Sequence, residues 1–72
     1  MATPAEQRRE LESLQLLKEE WCRRLSAAAE QWVQAKAGGA LPDELADIEL
    51  YMQKAERQWR RYDRRLRRRR VR

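Results

Sequence analysis

The sequence predicts an all-α chain, an antiparallel two-helix hairpin that dimerises into a four-helix bundle. Three observations lead there. Apolar residues recur at alternating spacings of three and four through both halves of the 72 residues, which is the rhythm of a helix seam and not of a strand. One glycine pair, Gly38-Gly39, breaks that rhythm near the middle. Charged residues make up 40% of the chain, so the apolar side chains suffice for one stripe per helix but not for a thick core.

The chain reads as one unit, residues 1–72, with helix one over about 4–37, a turn over 38–42 and helix two over about 43–70. Thr3-Pro4-Ala5-Glu6 opens helix one as a capping box. The threonine oxygen can accept from the amide three residues on, the glutamate can reach back, and proline sits where its missing N–H costs nothing. Leu11, Leu14, Lys18, Trp21, Leu25, Ala28, Trp32 and Ala35 then form an a/d seam interrupted only by Lys18. A lysine there either fixes register or snorkels toward Glu19, Glu20 or a partner acid.

Gly38-Gly39 ends the helix, because glycine adopts the left-handed conformation that closes a C-terminus. Pro42-Asp43-Glu44 starts the next one with acids at the positive end of the helix dipole. Leu45, Ile48, Met52, Ala55, Trp59, Tyr62 and Leu66 continue the seam until Arg69 takes the next position. Helices of about thirty residues run about 45 Å, and so short a connection makes them antiparallel. Ala28, Ala35 and Ala55 leave room beside the large tryptophans.

A core of this size supplies only about 3–5 kcal/mol without outside support. Apolar residues flanking the seam, Leu16, Leu17, Cys22, Ala29 and Val33 on helix one with Leu50 and Tyr51 on helix two, widen the apolar face beyond one stripe. The expected core and dimer interface is Leu11, Leu14, Leu17, Trp21, Leu25, Trp32, Leu45, Ile48, Met52, Trp59, Tyr62 and Leu66. Docking on a larger protein is the other way to cover the same flank.

The net charge of +5 hides a sharp division. Residues 1–42 balance six bases against six acids, residues 43–56 hold five acids and one base, and residues 57–72 hold ten arginines and one acid, Asp63. Fourteen of the seventeen bases are arginine, whose planar fork grips phosphate and carboxylate bidentately where lysine is a hydrated point charge. With Trp59 at position a, Arg57 and Arg64 fall at f, Arg60 and Arg67 at b, and Arg61 and Arg68 at c. All six point away from the seam, and Arg57 to Arg68 spans about 16 Å of helix axis.

The expected nucleic-acid-contacting set is therefore Arg57, Arg60, Arg61, Arg64, Arg65, Arg67, Arg68, Arg69 and Arg70. Against it stands a structural role, since cations suit a helix C-terminus and an antiparallel hairpin brings Glu6, Glu10 and Glu12 beside the last turns. Three acids accompanied by Arg8 and Arg9 cannot neutralise ten arginines, and exposed pairs contribute only about 0–1 kcal/mol each. An acidic protein surface is the alternative partner. Trp59 and Tyr62 lie among the arginines as stacking residues do in single-strand binders, but both occupy the seam and read as core.

Nothing in the sequence suggests catalysis. There is no histidine, and no glycine-rich phosphate loop or nucleophile motif accompanies the acids. No cofactor, metal or small-molecule substrate is expected. The lone Cys22 cannot close an internal bridge and reads as a small semi-buried thiol, which suits a reducing compartment. Neither a secretory h-region nor an apolar run of about 18–20 residues is seen, so neither export nor a membrane span is expected. A cytoplasmic location follows, with Arg67 to Arg70 serving as a nuclear or nucleolar address in a eukaryotic host.

Asp43-Glu44-Leu45-Ala46-Asp47-Ile48 resembles the start of helix two in the Rop-like helical hairpins, agreeing in five of six residue types. That resemblance implies a hairpin that dimerises into a four-helix bundle and binds paired RNA hairpins. In that family the RNA face belongs to the first helices, whereas the basic stripe here lies on the second, so no RNA-contacting residue is carried over. In architecture alone the chain is also similar to nodaviral silencing suppressors, hairpin dimers that lie along double-stranded RNA. Both likenesses imply recognition of A-form shape and backbone, which suits a rigid array of arginines. The expected activity is regulatory: a homodimer binding structured or double-stranded RNA in preference to DNA. The alternative is an adaptor or assembly chaperone docking a helix or acidic patch of a larger partner.

Overall fold

In a computed structural model that describes residues 3–70, leaving out the Arg70 side chain, two helices pack against each other as a hairpin. Helix α1 spans Pro4–Ala37 and α2 spans Pro42–Arg70. The Cα trace measures 55 × 15 × 14 Å, a rod one helix pair wide. Among the described residues there is no strand.

The capping box forms at the start of α1. Thr3 Oγ1 accepts from the Glu6 amide at 3.2 Å, and the Thr3 amide donates to Glu6 Oε2 at 3.3 Å. At the other end, the Gly39 amide donates to the Lys36 carbonyl at 3.2 Å and the Ala40 amide to that of Ala35 at 2.9 Å. This pair of bonds is a Schellman closure, which requires a left-handed residue between them. Gly39 supplies it with φ of +80°. The chain then re-enters helix at Pro42, a residue ahead of the expected Asp43, because the Leu41 carbonyl already accepts from the Leu45 amide at 3.1 Å. Proline suits that first helical position, and Asp43 and Glu44 follow in the first turn.

Burial follows the a/d seam. Leu14, Ala28, Ala55 and Leu66 are buried, and Leu11, Lys18, Trp21, Leu25, Trp32, Ala35, Leu45, Ile48, Met52, Trp59 and Tyr62 are half-buried. Arg69, the seam position where the apolar run stops, is exposed. Of the residues expected at the interface, Leu17 stands outside the hairpin's own seam, 36% exposed. Leu16, Leu50 and Tyr51 are exposed with it.

Three contacts between the helices fix the register. Lys18 Nζ meets Asp63 Oδ1 at 2.9 Å, Trp32 Nε1 donates to Glu49 Oε1 at 3.0 Å, and Arg69 pairs with Glu10. Residues on the two helices whose numbers add to about 80 therefore share a level of the rod. Lys18 pairs with neither Glu19 nor Glu20. It crosses to Asp63, and its ammonium sits 5.8 Å from the centre of the Trp59 ring. Each tryptophan has a cation over its ring, since Arg24 lies 4.7 Å from Trp21 and Lys36 4.8 Å from Trp32. These cations cover aromatic surface that a single helix pair leaves open.

Candidate nucleic-acid interface

An unbroken helix determines where each guanidinium goes. Because α2 runs unbroken to Arg70, residues three and four apart share a face, and the seam faces α1 through Trp59, Tyr62 and Leu66. Arg57, Arg60, Arg61, Arg64, Arg65, Arg67, Arg68 and Arg69 are all exposed. The Arg70 side chain, also expected to contribute, lies outside the described residues.

Ion pairing divides this set in two. Arg60 reaches back one turn to Glu56 at 2.7 Å, Arg67 reaches back to Asp63 at 3.1 Å, and Arg69 crosses to Glu10. Arg57, Arg61, Arg64, Arg65 and Arg68 have no acid within pairing distance among the described residues. Those five are spaced 4, 3, 1 and 3 residues apart, so they form one stripe along α2 about 16 Å long, on an arc of about 100°. The arc is turned away from the seam.

The paired arginines were legible in the sequence. Glu56 and Asp63 stand four residues before Arg60 and Arg67, the favourable order for an acid and base on a helix. The role of Asp63 as the one acid of the tract was less legible. Half-buried, it holds Lys18 across the hairpin with one oxygen and Arg67 along α2 with the other. Trp59 and Tyr62 are half-buried between the helices, and the Trp59 ring lies beneath Lys18, as seam residues and not as free stacking platforms.

The remaining surface is shallow. A depression lined by Glu19, Cys22, Arg23, Ser26, Ala27 and Glu30 is open along α1, and Cys22 is exposed, not semi-buried as expected. Position e of α1 places that thiol at the edge of the seam, where a hairpin of only two helices has nothing to lay over it. Among the described residues no group of three potential ligands could hold a metal ion, and no helix is long and apolar enough to cross a membrane. No family profile, curated protein or solved structure matches the chain. The arrangement itself must carry the argument. Five unneutralised guanidinium groups on a rigid helix present a linear array of bidentate donors to an anionic polymer.

Proposed function

We propose that this chain is a non-catalytic, regulatory RNA-binding protein that works as a homodimer of hairpins assembled into a four-helix bundle. It tracks the phosphate backbone of structured or double-stranded RNA with Arg57, Arg61, Arg64, Arg65 and Arg68. The observation that carries this reading is the line of five arginines, turned away from the seam, with no acid within pairing distance among the described residues. Phosphate contacts position a protein without reading bases, and A-form duplexes are recognised mainly by shape and backbone. Arg60, Arg67 and Arg69, held by Glu56, Asp63 and Glu10, keep the helix and hairpin in place.

The test is an anisotropy titration with labelled duplex RNA, single-stranded RNA and duplex DNA at about 50 and 200 mM salt. Neutralising five phosphates per hairpin should lower duplex affinity roughly 500-fold between those salts through counterion release. Changing Arg57, Arg61, Arg64 and Arg68 together to glutamine should abolish most binding, while Arg60→Gln with Arg67→Gln should leave the salt slope nearly unchanged. Equal affinity of the fourfold variant and the unsubstituted protein would refute the stripe. A second reading draws on the exposure of Leu16, Val33, Leu41 and Leu50: an adaptor that docks a helix of a larger protein. Absence of binding to all three nucleic acids at low salt would favour it.

A further inference from the structure

The two flanks of the hairpin are unlike. In the heptad numbering, Lys18 and Trp32 at a contact Asp63 and Glu49 at e, so positions a and e of both helices line one flank and positions d and g the other. The a/e flank carries two polar contacts between the helices, Lys18 to Asp63 and Trp32 to Glu49, with Lys36 over the Trp32 ring and Cys22 exposed at its edge. Polar cover on the d/g flank consists of the Glu10–Arg69 pair at the open end and Arg24 over the Trp21 ring. On the d/g flank, Leu17 and Tyr51 stand 36% and 40% exposed at g, while Leu16 and Leu50 at f face away from the seam. Tyr62, half-buried at d, lies on the same side, as does Trp21 with Arg24 over its ring. Aromatic and leucine side chains gathered on one flank have the composition of an interface core.

Charge is also unevenly spread along the rod. Glu30, Asp43, Glu44, Asp47 and Glu49 crowd the turn end against Lys36, while the arginines of α2 occupy the middle and the open end. We infer that the Leu17/Tyr51 flank is covered by a second copy of this chain lying antiparallel, each acidic turn end beside the partner's arginine-bearing end. This deepens the dimeric part of the proposed function and rests on it. A parallel pair would set arginine end against arginine end, which like-charge repulsion disfavours. The apolar positions agree. At 1.5 Å per residue Leu17 lies about 5 Å from mid-rod toward the open end and Tyr51 about 13 Å toward the turn. Reversing one copy interleaves the two sets around Trp21 and Tyr62, whereas a parallel pair leaves them at separate levels. Arg65 then falls at the rim of the interface, and Arg57, Arg61, Arg64 and Arg68 stay on the outward arc of both copies.

The experiment uses the full chain with Cys22→Ser and Ala37→Cys, spin-labelled at the end of α1. Light scattering should give the mass of a dimer, and dipolar spectroscopy a label separation of about 50 Å, the length of α1 at 1.5 Å per residue. A separation under about 25 Å, near two helix diameters, would overturn the antiparallel arrangement, and a monomer at high protein concentration would overturn the second copy as occupant. Leu17→Glu should weaken dimerisation at least about tenfold, because it puts an unpaired charge into the interface; an unchanged dimer constant would overturn the choice of flank. RNA anisotropy on the same labelled sample separates the two claims. A monomer that still binds duplex RNA refutes only the dimer, and an antiparallel dimer that binds no RNA refutes only the RNA reading.

Discussion

The Lys18–Asp63 contact gives the sharpest test of how the hairpin is held in register. Its side chains are 25% and 15% exposed, so the pair is neither surface decoration nor fully desolvated. Exposed pairs contribute about 0–1 kcal/mol, and breaking a fully buried one costs about 3–5 kcal/mol. Asp63 keeps Arg67 when Lys18 is lost, so the cost of Lys18→Met should fall between those limits, at about 1–2 kcal/mol. Asp63→Leu strands an ammonium that can still reach water, again at about 1–2 kcal/mol. With both changed, two apolar groups meet in the seam and most of the loss should disappear, because an apolar replacement of a partly buried pair is often neutral or stabilising. The expected coupling energy from this double-mutant cycle is about 2–3 kcal/mol. It is read from urea unfolding followed by far-ultraviolet circular dichroism at fixed protein concentration. Strict additivity, with coupling below about 0.3 kcal/mol, would show that the contact does not hold the helices.

Three further outcomes are expected. Gly39→Ala should cost about 1–2 kcal/mol of stability in thermal unfolding, since the residue sits at φ of +80° although its surroundings leave a methyl group ample space. Ala55→Leu should cost about 1–3 kcal/mol, because Ala55 has no exposed surface and lies in the seam of α2; near-native unfolding would mean that the helices part there without strain. Arg64→Glu should raise the unfolding midpoint slightly, by pairing with Arg60 and Arg68 one turn away on either side, while lowering duplex RNA affinity at least about tenfold.

Backbone architecture was legible because each element had local chemistry that agreed with its pattern. Thr3 and Glu6 capped α1, the two glycines closed it, and the three-four spacing marked the residues that became buried or half-buried. The start of α2 lies one residue ahead of the position the sequence predicts because the Leu41 carbonyl, which contributes no side-chain signal, accepts the first helical bond. Cross-helix partners were harder to read. Lys18 was visible as an anomaly in the seam, but its choice of Asp63 over Glu19 and Glu20 depends on register, which emerges only when both helices are aligned along their whole length. The same dependence hid the Trp32–Glu49 bond. Within α2 the opposite held: Glu56 and Asp63 announce their pairs with Arg60 and Arg67 by spacing alone, so the unpaired stripe could have been separated from the paired arginines without a structure.

That separation bears on why the stripe exists. Like charges three and four residues apart on a helix oppose folding by about 0.2–0.5 kcal/mol per pair. Arg57 with Arg61, Arg61 with Arg64 and Arg65, and Arg64 and Arg65 with Arg68 make five such pairs among arginines that have no acid within pairing distance among the described residues. A sequence shaped for hairpin stability alone would set acids among them, as it does at Glu56 and Asp63, and would gain attraction at the same spacing. The C-terminal half of α2 thus carries a local repulsion that its packing must offset, and a stripe that costs stability calls for a benefit elsewhere. An anionic polymer supplies that benefit by cancelling all five repulsions at once, so bound duplex RNA should raise the unfolding midpoint of the unsubstituted protein by more than it raises that of Arg64→Glu.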